Sequence, residues 1–218
     1  NCLEPDIEIN IEPDLLQYAV MNIGTELLSE LCPVFEVRAE NVFILNHAQD
    51  CFDNPDAEQT LKNTIKNIQA YIEKYFNITI TMVVGESPVP LSDISTAFNH
   101  TKYAELYSLV YGPSSVIYYR DVMKRTEIDA VYPHSTVKKI IEALRTGDFD
   151  EIGVNITKFI NKLKDLEYNK IFFFVTQLIL ELGKTFKEIY NTDTEIPDIN
   201  IADMINEIET LDEIKDIL

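Results

Sequence analysis

The apolar positions along the chain alternate between helical and strand-like spacing in the first half and keep to helical spacing in the second. Pro13-Asp14 opens the first helix, since proline suits a first helical turn and an acid suits the positive end of the helix dipole. Leu15, Leu16, Ala19, Val20, Ile23, Leu27, Leu28 and Leu31 follow at spacings of three and four, and the pattern ends near Cys32-Pro33. Two β-type runs come next, Val34 to Val37 and Asn41 to Leu45, separated by Arg38-Ala39-Glu40 as in a hairpin. Beyond a polar stretch from His47 to Asp56, a second helix carries Leu61, Ile65, Ile68, Ile72 and Phe76. Asn77 to Gly85 is β-branched and alternating, which predicts a strand ended by Gly85. The loop from Glu86 to Pro90 leads to a third helix, Ser92 to Tyr111, stopped by Gly112-Pro113, and Ser115 to Tyr119 reads as the last strand. Hairpins mixed with helical crossovers predict an α+β fold, a sheet layered with helices.

After Asp121 no β pattern returns. Pro133 precedes a helix carrying Val137, Ile140, Ile141 and Leu144, which Thr146-Gly147-Asp148 breaks. A second helix follows with Ile152, Ile156, Phe159, Ile160 and Leu163. A third, nearly continuously apolar from Asn169 to Tyr190, is expected to be buried on most sides, its Phe172-Phe-Phe174 run packing in the core, with a dimer seam as the alternative. Two short acidic amphipathic helices, Ile201 to Glu207 and Asp212 to Leu218, close the chain. The change of pattern places a boundary near 122–132, giving an α+β domain over 1–125 and a helical region over 126–218. Thr210-Leu-Asp-Glu213 resembles a capping box, and a helix so begun is expected to continue beyond Leu218.

Composition alters this picture through charge. Lys and Arg total 18 against 37 Asp and Glu, a formal net charge of −19. Such a body repels a polyanion, so these residues are not expected to grip DNA, and any work on DNA falls to another domain. Cys2, Cys32 and Cys51 form no CxxC pair and have no histidine at metal-ligand spacing, which fits reduced thiols in a cytoplasmic protein. The Asn-x-Thr triplets at Asn77, Asn99 and Asn155 are not read as glycosylation sites, because two fall in or at the start of predicted regular elements. Neither a signal peptide nor a run long enough to span a bilayer is expected, since Ile171 to Val175 is interrupted by Thr176-Gln177.

Catalytic patterns are sparse. His47, His100 and His134 are isolated from one another in sequence, and no GxSxG, Walker loop, GxGxxG or HExxH occurs. Isolated histidines are more often structural or exposed than catalytic, and acids on helix faces are usually solvated. No catalytic, cofactor-binding or metal-ligating residue is assigned, and no enzymatic activity is expected.

Several strings nevertheless occur in a familiar order. They are Thr79-Ile-Thr-Met-Val-Val-Gly85, Leu91-Ser-Asp-Ile-Ser95, Tyr103-Ala104-Glu105-Leu106, Tyr111-Gly112 and Val116-Ile-Tyr-Tyr119. Before them stands Leu15 to Glu26, and after them Tyr132-Pro133, Lys139 to Leu144, Thr146-Gly-Asp148 and Leu211 to Lys215. Together these resemble the degenerate GGDEF-like module and helical linker of large AraC-type bacterial transcription regulators. Phe35 to Leu45 sits where GGDEF domains, the diguanylate cyclases, place a hairpin reading roughly Val-x-Arg-x-Gly-Gly-Asp/Glu-Glu-Phe. Aligned from Arg38, the two glycines become Glu40 and Asn41, and Val42 replaces the acid; aligned on Phe43, the motif is one residue short. Those glycines let backbone approach a guanine nucleotide and the acid holds a divalent metal, so the cyclase reaction is not expected. Asp6 to Ile11 is the candidate for the family's first strand, which is either shortened here or lies upstream.

The resemblance implies a ferredoxin-like sheet with helices, followed by an all-helical transmitter. It places the segment in signal transduction, between an upstream receiver or membrane-anchored sensor and a C-terminal helix-turn-helix DNA-binding domain beyond Leu218. A cytoplasmic homodimer without cofactor follows, with no direct nucleic-acid contact by these residues. The alternative reading is a receptor domain that binds a nucleotide or small metabolite at a remodelled GGDEF-like cleft.

Overall fold

The computed structural model describes residues 12–46, 55–86, 88–126, 131–190 and 210–214. The fold is mixed α+β and mostly helical, and it divides into two compact units, Asn1–Ile80 and Thr81–Leu218. The change from mixed to all-helical elements, read at 122–132, lies within the second unit. No helix among the described residues is long and apolar enough to cross a membrane.

In the first unit, α1 (Pro13–Ser29) starts where expected, with proline in its first turn and the Glu12 carbonyl accepting from the Leu15 and Leu16 amides. Strands β1 (Val34–Val37) and β2 (Val42–Leu45) form the predicted antiparallel hairpin, with Val34 opposite Leu45 and Val37 opposite Val42. Arg38–Glu40 make a 3-10 turn, and Asn41 completes the reversal at φ 54°, a left-handed conformation that asparagine tolerates. Helix α2 (Pro55–Phe76) buries Ile65, Ile68 and Ile72, and α1 buries Met21 and Leu28. Gly24, in the middle of α1, lets the Phe43 ring lie against the helix backbone, because a methyl group there would run into that ring.

In the second unit, β3 (Met82–Val84) and β4 (Val116–Tyr118) pair in parallel, Met82 opposite Val116. Among the described residues the strands thus form a two-stranded ladder in each unit, where a layered sheet was expected. The strand expected over 77–85 is shorter because its partner offers only three residues, while Asn77 turns at φ 54° and the Ile80 carbonyl accepts from the Gln69 side chain. Parallel strands need a crossover, supplied by α3 (Ile94–Glu105) and α4 (Ser108–Tyr111). These are the halves of the helix expected over Ser92–Tyr111. The break falls at Leu106-Tyr107, whose amides bond three residues back, to the Tyr103 and Ala104 carbonyls, and so turn the Tyr107 ring fully into the core. Helix α5 (Tyr119–Thr126) occupies a stretch in which no helix was expected, directly after β4.

The remaining helices follow the reading closely: α6 (His134–Thr146), α7 (Phe149–Leu163) and α8 (Tyr168–Tyr190). Their shared core contains Val137, Ile140, Ile156, Phe159, Ile160, Leu163, Ile171 and Leu178. One expectation fails here. Helix α8 is not buried on most sides: Phe173 is 62% exposed and Leu180 59% exposed, whereas Phe174 is only 6% exposed. The apolar composition of α8 exceeds the surface its neighbours cover. Leu211 and Ile214, in a short turn beginning at Thr210, are buried in this core, and Lys164 pairs with Asp212 at 3.3 Å. The helix expected over 201–207, and the rest of that over 212–218, lie outside the described residues, as do the candidate first strand at 6–11 and the residues from 47 to 54.

Candidate functional site

The hairpin turn packs against one face of α1. Gln17, Tyr18, Met21, Asn22 and Thr25 recur at helical spacing and face the turn. The Gln17 Nε2 donates to the Arg38 carbonyl at 2.9 Å and to Asn41 Oδ1 at 2.7 Å. Arg38 Nη2 donates to Asn22 Oδ1 at 3.0 Å and pairs with the Glu36 carboxylate at 2.6 Å, while its guanidinium lies 4.8 Å from the Tyr18 ring centre. The Thr25 hydroxyl donates to the same Glu36 carboxylate. A shallow depression of about 210 Å³ remains, lined by Asp14, Gln17, Tyr18, Met21, Arg38 and Ala39.

Chemically, this arrangement is self-satisfied. Its cation is neutralised by Glu36, and the side-chain amides are bonded to the turn they face. Each such bond contributes on the order of 1 kcal/mol to docking the hairpin on α1. A ligand entering here would have to displace bonds already made. Among the described residues no group of three or more His, Cys, Asp or Glu side chains is placed to hold a metal.

A second cluster lies in the α/β part of the second unit. Glu86, just past β3, approaches His100 Nδ1 on α3 at 3.1 Å, and the His100 ring stacks on Tyr119 with centroids 4.6 Å apart. Burial, reinforced by the Glu86 charge, pushes the Tyr119 phenol upward in pKa. Next to it, the Tyr103 and Tyr107 hydroxyls lie 3.4 Å apart, and burial raises the Tyr103 pKa, with Tyr107 adding to the shift.

Tyr107 also reaches the helical part. The Tyr168 amide, at the start of α8, donates to the Tyr107 hydroxyl at 3.0 Å, and Val110 and Tyr168 pack against both the α/β core and the helical core. The α/β part and the helices are therefore joined by a part-buried side-chain-to-backbone bond. Sequence reading passed over Tyr107 as one more position in a helix; its spacing of four from Tyr103 was the available signal.

The other residues singled out by sequence are dispersed. His134 begins α6 with its ring edge-on to Tyr132 at 4.8 Å, and His47 lies outside the described residues. Cys32 is buried; Cys2 and Cys51 lie outside the described residues. Tyr132 itself is 7% exposed, packed edge-on to Phe159 and Phe174, and burial together with the nearby Glu181 raises its pKa. Within the Phe172–Phe174 run, Phe174 joins the core, Phe172 packs against it partly buried, and Phe173 faces outward. No protein-family model, curated protein or solved structure matches the chain.

Proposed function

We propose that this chain is the non-enzymatic, signal-transmitting portion of an AraC-type transcription regulator, built from a degenerate GGDEF-like part and a helical linker. The observation that carries the reading is the Tyr107–Tyr168 bond, which ties the crossover of the α/β part to the first residue of α8. A displacement of α3 and α4 by an upstream input would strain or relieve that bond and shift the balance between two arrangements of the helices. Leu211 and Ile214, both buried in the same core, then couple the helices to the DNA-binding domain beyond Leu218. The acidic body leaves contact with DNA to that domain, which is basic in this reading.

The test is to sequence the source gene past the codon for Leu218. A basic, helical continuation with a pair of helix-turn-helix patterns is the expected result. A stop codon directly after Leu218 overturns the reading, and titration of the chain with guanine nucleotides then becomes the experiment for the receptor alternative.

A further inference from the structure

Helices α1 and α2 meet through buried apolar residues, and among the described residues nothing covers the strip beside that contact. Ile23, Glu26 and Leu27 on α1 and Tyr71 and Tyr75 on α2 line a half-open groove of about 230 Å³. Tyr71 is 43% exposed and Tyr75 60% exposed, and their rings stack 6.1 Å apart with planes 7° from parallel. Exposed tyrosines are favourable anchors for an interface, because a large ring with few rotatable bonds loses little side-chain entropy on contact. Two charges flank the groove. Lys74 lies over the Tyr75 ring at 5.1 Å, Glu26 stands on the α1 wall, and among the described residues neither has an ion partner.

We propose that this groove is the seam of a two-fold homodimer, with Glu26 of one copy opposite Lys74 of the other. The opposite signs of the two charges favour an occupant that carries both. A foreign acidic surface would leave Glu26 facing like charge, and a foreign basic surface would do the same to Lys74. A second copy related by a two-fold axis satisfies both at once, since an isologous surface has to complement itself. The tyrosine pair of each copy then covers Ile23 and Leu27 of the other. The resemblance implies a homodimer without saying which surface forms it; the geometry of the first unit supplies one, and the inference does not depend on the regulator reading.

The experiment is sedimentation of the intact chain across ~1 to ~100 µM, a range that brackets association of this size. A reversible dimer is expected. Tyr75→Ser weakens it, and E26K or K74E alone weakens it about tenfold, because each reversal acts twice in a two-fold interface. The double reversal E26K/K74E restores association to near the starting value. E26K separates pairing from overall charge: it makes a chain of net charge −19 less negative, so a non-specific effect would strengthen the dimer. All three positions are at the surface, and circular dichroism checks that each variant keeps its fold. A monomer at every concentration overturns the proposal. So does a dimer unmoved by Tyr75→Ser, or a double reversal no better than either single one.

Discussion

Gly147 and Asp148 share the turn between α6 and α7. Gly147 takes φ +73°, where a Cβ would be strained, and its amide bonds the Leu144 carbonyl while the Asp148 amide bonds that of Ala143. The Asp148 side chain then accepts from the Glu151 amide at 3.0 Å, capping α7. Gly147→Ala and Asp148→Ala should each lower stability by about 1 kcal/mol in urea melts. Being neighbours, they should not add simply. Residue-level punctuation of this kind was legible in the sequence, because Thr146-Gly147-Asp148 can hardly be anything but a stop followed by a start. Gly24 was not legible. A glycine inside a helix is ordinarily a cost, and its reason, the Phe43 ring against α1, is a contact made across the hairpin.

At the scale of elements, α8 shows where apolar pattern ceases to predict burial. Phe173 and Phe174 are adjacent and chemically identical, yet one points outward and the other into the core beside Tyr132. Phe174→Ala should cost about 3–5 kcal/mol, the penalty for emptying a packed aromatic site, whereas Phe173→Ala should stay within about 0.5 kcal/mol. Equal losses for both would mean that α8 is rotated from the orientation described. The same limit explains the other departures. Helix α5 begins at Tyr119, inside a run whose β-branched and aromatic residues read as strand, and β3 is cut short by the length of its partner. Periodicity reports what an element can bury, and the neighbours decide how much of it they cover. The hairpin, by contrast, was legible because its two runs are adjacent in sequence and its polar turn separates them. The bonds from Gln17, Asn22 and Thr25 to that turn were not, since helical spacing shows a shared face without showing what it meets.

At the scale of the whole molecule, buried and half-buried phenols set the alkaline limit. Tyr103, Tyr119 and Tyr132 all have pKa values raised above the usual value of 10.0, chiefly by burial. Below pH 10 folded and unfolded chains both keep these protons, so stability does not depend on them. Above it the unfolded chain loses protons that the folded chain retains, and stability falls as pH rises. The midpoint of thermal unfolding should therefore be level up to about pH 9.5 and decline beyond about pH 10, less steeply in Tyr132→Phe. A decline equally steep in that variant would remove Tyr132 from the account.

The net charge has a separate bearing on the two ladders. Each has only two strands, so among the described residues the outer edges of β1, β2, β3 and β4 carry no neighbouring strand. Open edges are templates for further pairing, and Val42 to Leu45 is an uninterrupted apolar run. At neutral pH a charge of −19 holds molecules apart before such edges can meet. Close to the isoelectric point, about 4.4, that repulsion is gone while the edges remain, so acid is the condition under which this fold is most exposed to growing into fibres.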